Sequence, residues 1–137
     1  MGSWKALKIA SGTGWKEIDR ESGSGGWKEL TWDSVDIDIG APCIDRPGSE
    51  AGGYTVLSGD NPANAGGVLT KVCIWVNSNM SGIKIGTFYH TTGTNYYCRD
   101  ADTIGSLNAG KNENVVISLN VMAGDLIGLY WSGGTLE

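Results

Sequence analysis

Histidine occurs once in this 137-residue chain, and its three cysteines, Cys43, Cys73 and Cys98, show no CxxC spacing. A zinc or dithiol centre built on Cys and His therefore has too few ligands at usable spacing. Ser–His–Asp or Cys–His catalysis would have to use His90, which follows a strand and precedes a Thr-rich loop, where a surface role is the simpler reading. The G-x-S-x-G, H-E-x-x-H and P-loop signatures are all missing. Basic runs are missing too: 10 Lys and Arg stand against 15 Asp and Glu, a formal charge of −5 at pH 7. That balance opposes nucleic acid or an anionic membrane as the default partner. No apolar stretch reaches the roughly 18–20 residues that span a bilayer. The N-terminus lacks the charged-then-apolar order of a secretion signal, so localisation stays open.

Proline and phenylalanine are scarce, at three and one, while glycine reaches 22. Glycine without a three-residue period is not collagen, and 40% hydrophobic content opposes disorder. Many tight turns joining short apolar runs point to an all-β fold, and the length fits one domain. Residues 68–76 form a β-branched run with Val68, Val72, Ile74 and Val76 on one face. Residues 77–82 read as a turn, and 83–89 as the next strand, with Ile83, Ile85, Thr87 and Tyr89 together. Thr91-Thr-Gly-Thr94 closes a hairpin onto residues 95–99. A strand over 102–107, a turn at 108–111 and an alternating strand over 113–121 follow, the last with Val115, Ile117, Leu119 and Val121 inward. Met122-Ala-Gly-Asp125 then reverses the chain into 126–131. Its glycine suits a positive φ, and its aspartate can accept bonds from turn N–H groups. This is the pattern of an antiparallel β-sandwich or jelly roll. The odd cysteine count is read as reduced structural thiols. The alternative is one disulfide, with Cys73–Cys98 as the pair.

The front of the chain is different. SWKAL at 3–7, GWKEI at 14–18 and GWKEL at 26–30 are near-copies, and they define a Trp-rich extension over 1–34 ahead of a β-sandwich body over 35–137. Residues 15–21 are too short for a stable helix and are flanked by glycines, so extended chain is preferred. A period of eleven or twelve residues equals a strand plus a turn, which makes a meander. Successive tryptophans then fall at opposite ends of neighbouring strands. Within each copy the tryptophan opposes an aliphatic residue, so Trp4, Trp15, Trp27 and Trp32, with Leu7 and Ile9, are the candidate interface residues. A strand over 32–39 places Asp36 and Asp38 on one face. With Asp45 they are the candidate ligands of a calcium ion, against the simpler reading of a solvated sheet face. Asn79-Met-Ser81 is a formal glycosylation sequon.

The body carries an ordered set of short motifs: Ala41-Pro-Cys-Ile-Asp-Arg46, Asn61-Pro-Ala-Asn64, Ile85-Gly-Thr-Phe-Tyr89, Arg99-Asp100, Ile104-Gly105 and Ala123-Gly-Asp-Leu-Ile-Gly-Leu-Tyr130. In this order, over about residues 40–135, they resemble uncharacterised small β-sandwich proteins of environmental and phage-associated type. The resemblance implies a sandwich in a viral or extracellular setting and no catalytic residues. Such chains continue past the position of Gly133, whereas here Asp19-Arg-Glu-Ser-Gly-Ser-Gly-Gly-Trp27 resembles that continuation, which a circular permutation would explain. Two function classes lead. The first is a non-catalytic assembly module of a virion, tail or surface filament that contacts itself or a neighbouring protein subunit. The second is a carbohydrate-binding module that stacks Trp and Tyr rings on polysaccharide. An enzyme ranks third.

Overall fold

The computed structural model describes residues 7–11, 14–20, 27–30 and 36–137, with side chains from residue 36 onward. Trp4, Trp32 and residues 21–26, within the stretch on which the permutation reading rests, lie outside these residues. The chain forms two compact units, Met1–Asp36 and Ile37–Glu137.

The first unit is an antiparallel sheet of β1 (Leu7–Ser11), β2 (Gly14–Arg20) and β3 (Trp27–Leu30), in the order β1–β2–β3. The described part of the 15–21 segment, residues 15–20, is extended rather than helical, as its short length and flanking glycines require. Trp15 pairs with Ala10 at one end of β2, and Trp27 pairs with Arg20 at the other. The eleven-to-twelve-residue period thus sets a meander. The proposed opposition of tryptophan and aliphatic side chains lies outside the described residues.

The second unit contains β4 (Glu50–Ala51), β5 (Thr55–Ser58), β6 (Gly67–His90), β7 (Tyr96–Leu107), β8 (Gly110–Val121), β9 (Leu126–Tyr130) and β10 (Gly133–Leu136). All pairings are antiparallel, and no helix occurs among the described residues. The path β4–β10–β6–β9–β5 has β7 and β8 attached to β6 as well. One strand bonded to four neighbours must use different stretches for different partners. Residues 67–76 of β6 pair with β8, 76–81 with β10, and 80–90 with β7 and β9. The sheet therefore curls around one core.

The turn expected at 77–82 is instead the middle of this strand. Its polar residues serve β10: Ser78 Oγ accepts from Thr135 N at 3.0 Å, and Ser132 N donates to Ser81 O at 3.0 Å. Gly134, at φ 84°, lies so close to Asn79 O that a Cβ would collide with it. The sequence reading of residues 68–76 also needs correction. Val68 is exposed and Leu69 buried, whereas Ile74 and Val76 face inward and Val72 is half-buried. A ladder irregularity between Leu69 and Lys71 switches the inward set from odd to even positions. A second, between Met80 and Ile83, switches it back, so that Ile83, Ile85 and Thr87 are buried while Tyr89 is exposed. These two of its several register shifts keep the strand facing the core from Leu69 to Thr87.

The core is formed by Val76, Met80, Ile83, Ile117, Leu119, Val121 and Leu129 around Trp131, which is fully buried. Its Nε1–H donates to Gly134 O at 3.1 Å, so the indole is buried without an unmet donor. The expected alternation over 113–121 holds, with Val115 half-buried and the other three inward. In the 122–125 turn Gly124 has φ 90°, and Met122 N donates to Asp125 Oδ2 at 2.9 Å, as that turn chemistry predicts.

The cysteine reading is overturned. Cys43 and Cys73 form a disulfide with a Cα–Cα distance of 5.8 Å, and Cys98 is free and exposed. Cys98 pairs across from Phe88, at the opposite end of β6 from Cys73, far beyond the roughly 7 Å Cα limit for a bridge. Linear spacing concealed this because a single strand carries both ends of the unit.

Candidate functional site

The expected strand over 32–39 is not formed in its described part. Residues 36–39 are irregular, with Asp36 and Asp38 exposed and Ile37 and Ile39 half-buried. Asp38 is held by Asn64 instead: its N–H donates to Asn64 Oδ1 at 2.8 Å, and its carbonyl accepts from Asn64 N at 3.2 Å. Among the described residues no three His, Cys, Asp or Glu side chains gather, so Asp36, Asp38 and Asp45 are not brought together. Leu7 and Ile9 lie in β1, and Trp15 and Trp27 lie in β2 and β3. Between the disulfide-tied loop and the sheet is an apolar cavity of about 160 Å³, lined by Ile39, Cys43, Val56, Ile85 and Leu136 among others.

The most organised surface group is one that sequence reasoning did not single out. Residues 91–95 turn β6 into β7, with Thr91 N donating to Asn95 O and Asn95 N to Thr92 O, both at 3.1 Å. Gly93 adopts φ 62°, and the His90 Nε2–H donates to its carbonyl at 2.5 Å. The ladder then sets Tyr89 opposite Tyr97, and His90 opposite Tyr96. Facing residues on an antiparallel pair share a side of the sheet, and successive pairs alternate sides. One side accordingly carries Tyr89 stacked on Tyr97, with ring centroids 6.0 Å apart and planes 24° apart. The other carries His90 edge-on to Tyr96 at 5.2 Å.

A bulge extends the first group. Phe88 pairs with Cys98 and Thr87 with Asp100, which leaves Arg99 as the extra residue of β7. Bulges re-aim side chains, and here the guanidinium lies 4.9 Å from the Tyr89 ring centroid. Arg99 also forks onto Asp125, from Nε to Oδ2 at 2.5 Å and from NH2 to Oδ1 at 3.0 Å. Asp125 is buried. Burial alone would raise its carboxyl pKa, but the Arg99 hydrogen bonds, the Met122 N–H and the Arg99 charge outweigh burial and hold it below the usual carboxylate value. The result is a fixed, charge-balanced ledge of Asp125, Arg99, Tyr89 and Tyr97. Tyr89 is 37% exposed and Tyr97 57%.

A signal for this ledge stands in the sequence: Tyr89-His90 and Tyr96-Tyr97 flank a Thr-Thr-Gly-Thr turn, and any hairpin there brings them face to face. The Arg99–Asp125 link carries no such signal, because it depends on the bulge. No family model, curated protein or solved structure matches the chain.

Proposed function

We propose that this protein is a non-catalytic structural module that joins neighbouring subunits by strand addition, as in a virion, tail or surface filament. The observation that carries the reading is the self-paired sheet of the first unit. Among the described residues of that unit β1 and β3 are the outer strands, and each keeps one ladder edge beyond its single described partner. Such an edge is a template for another chain, with main-chain hydrogen bonds supplying affinity and alternate side chains supplying fit. The Trp-rich composition of this segment, with Leu7 and Ile9 on β1, supplies large apolar side chains for that fit. The Ile37–Glu137 unit is the body of the module, read as a β-sandwich of jelly-roll kind whose curled sheet folds two faces over one core. The Cys43–Cys73 disulfide supports an oxidising, extracellular setting, where such bonds persist.

Size exclusion with light scattering tests this reading. The native chain is expected to run as a dimer or larger species, and Ala10→Pro, which removes a backbone donor from the edge of β1 that faces away from β2, to return it to one chain. A native chain that stays monomeric as its concentration rises overturns the proposal.

A further inference from the structure

We propose that the Tyr89–Tyr97 ledge is a binding subsite for a neutral polysaccharide, independent of the N-terminal sheet edge. Three observations converge on that ligand class. First, the rings are held before any ligand arrives. Tyr89 is in contact with Tyr97 and Arg99, Arg99 is forked onto the buried Asp125, and the hairpin beneath is closed by Thr91, Asn95 and the His90–Gly93 bond. A preorganised platform loses little side-chain freedom on binding.

Second, the charge is already balanced. Arg99 is the only cation placed against the ledge rings among the described contacts, and Asp125 neutralises it. Asp100, next along β7, is engaged by the N–H and side-chain amide of Asn120, each at 2.8 Å. Among the described contacts, the cation at the rings is thus already committed and leaves an anionic sugar no free charge to pair with. Third, the surrounding chemistry suits hydroxyl groups. Residues 91–95 are Thr, Thr, Gly, Thr and Asn, which offer hydroxyls and an amide but no aliphatic side chain. The apolar face of a pyranose can stack on Tyr97, as apolar surfaces do on aromatic rings, while its hydroxyls bond that rim.

The experiment is affinity electrophoresis of the full chain in native gels containing dextran, xylan, galactomannan or mixed-linkage β-glucan. At least one is expected to retard the protein. Tyr97→Ala is expected to weaken that retardation about tenfold, the loss of one stacking contact, whereas Tyr97→Phe retains most of it. Val116→Ala, at an exposed position on β8, is expected to leave it unchanged. An unchanged unfolding midpoint for Tyr97→Ala separates lost binding from lost folding. The proposal is overturned if none of the four retards the chain, or if Tyr97→Ala is retarded like the native protein. It is equally overturned if Tyr97→Ala alters only the mass in light scattering, which would make the ledge a protein contact.

Discussion

Asp125 satisfies three donors with two oxygens: Met122 N in its own turn, and two nitrogens of Arg99 on another strand. One carboxylate thus fixes the β8–β9 turn and orients the cation under Tyr89. Because its pKa is depressed in the folded protein, its contribution is present above the ordinary carboxylate pKa. That contribution is lost as pH falls through the lower, folded value. Asp100 is also depressed, first by the Asn120 backbone N–H and then by the Asn120 side chain, and it acts in the same direction. The urea midpoint is therefore expected to hold from neutrality to about pH 5 and then to fall steeply toward pH 2. Asp125→Asn keeps the shape but leaves Arg99 without its anion. It should cost on the order of 2 kcal/mol at pH 7 and flatten the acid limb, both measurable by urea titration.

At the scale of elements, the seam between β7 and β8 is closed by side chains. Both strands pair with β6, on different stretches of it. Asp102 Oδ2 accepts from Ser118 N at 2.9 Å, and Asp100 Oδ2 accepts from Asn120 N at 2.8 Å. Two carboxylates spaced by two on β7 thus meet two amides spaced by two on β8, in antiparallel sense. Thr87, fully buried in β6, donates from Oγ1 to Asn120 O at 2.7 Å and anchors the same corner. Removing one carboxylate should open one amide while the ladder to β6 stays intact. Asp102→Ala is thus expected to speed hydrogen exchange at Ser118 about tenfold or more and to leave Leu119, which pairs with Leu69, unchanged in NMR exchange spectra. Equal acceleration at both positions would mean that the seam carries the whole strand.

At the scale of the molecule, the Cys43–Cys73 bond ties the irregular 36–49 segment to the central strand β6. A bridge closing a loop of that span restricts the unfolded chain by about 3–4 kcal/mol. Reduction, or the pair Cys43→Ser and Cys73→Ser, is expected to lower the melting temperature by roughly 10 °C or more. Alkylating Cys98 alone should have little effect, since that thiol is exposed. Calorimetry with and without reductant distinguishes the two. The buried core around Trp131 and the disulfide act on different parts of the unit, so their effects should be nearly additive.

Local order along the chain was sufficient for the all-β class, the antiparallel hairpins, the 122–125 turn and the meander of repeated GWKE(I/L) strands. Each of these depends on periodicity or turn chemistry within about a dozen residues, which linear sequence records directly. Tertiary structure decided the rest. The polar 77–82 segment became the middle of a strand because β10 supplies partners for its serines. The inward face of β6 changed sides twice because the ladder slips there, and side-chain period alone cannot register a slip. Cys43 found Cys73, and Arg99 reached Asp125, because a curled sheet brings together residues that sequence keeps apart. Contacts of that kind are set by which strands become neighbours, a choice made by burial of the shared core rather than by any local signal.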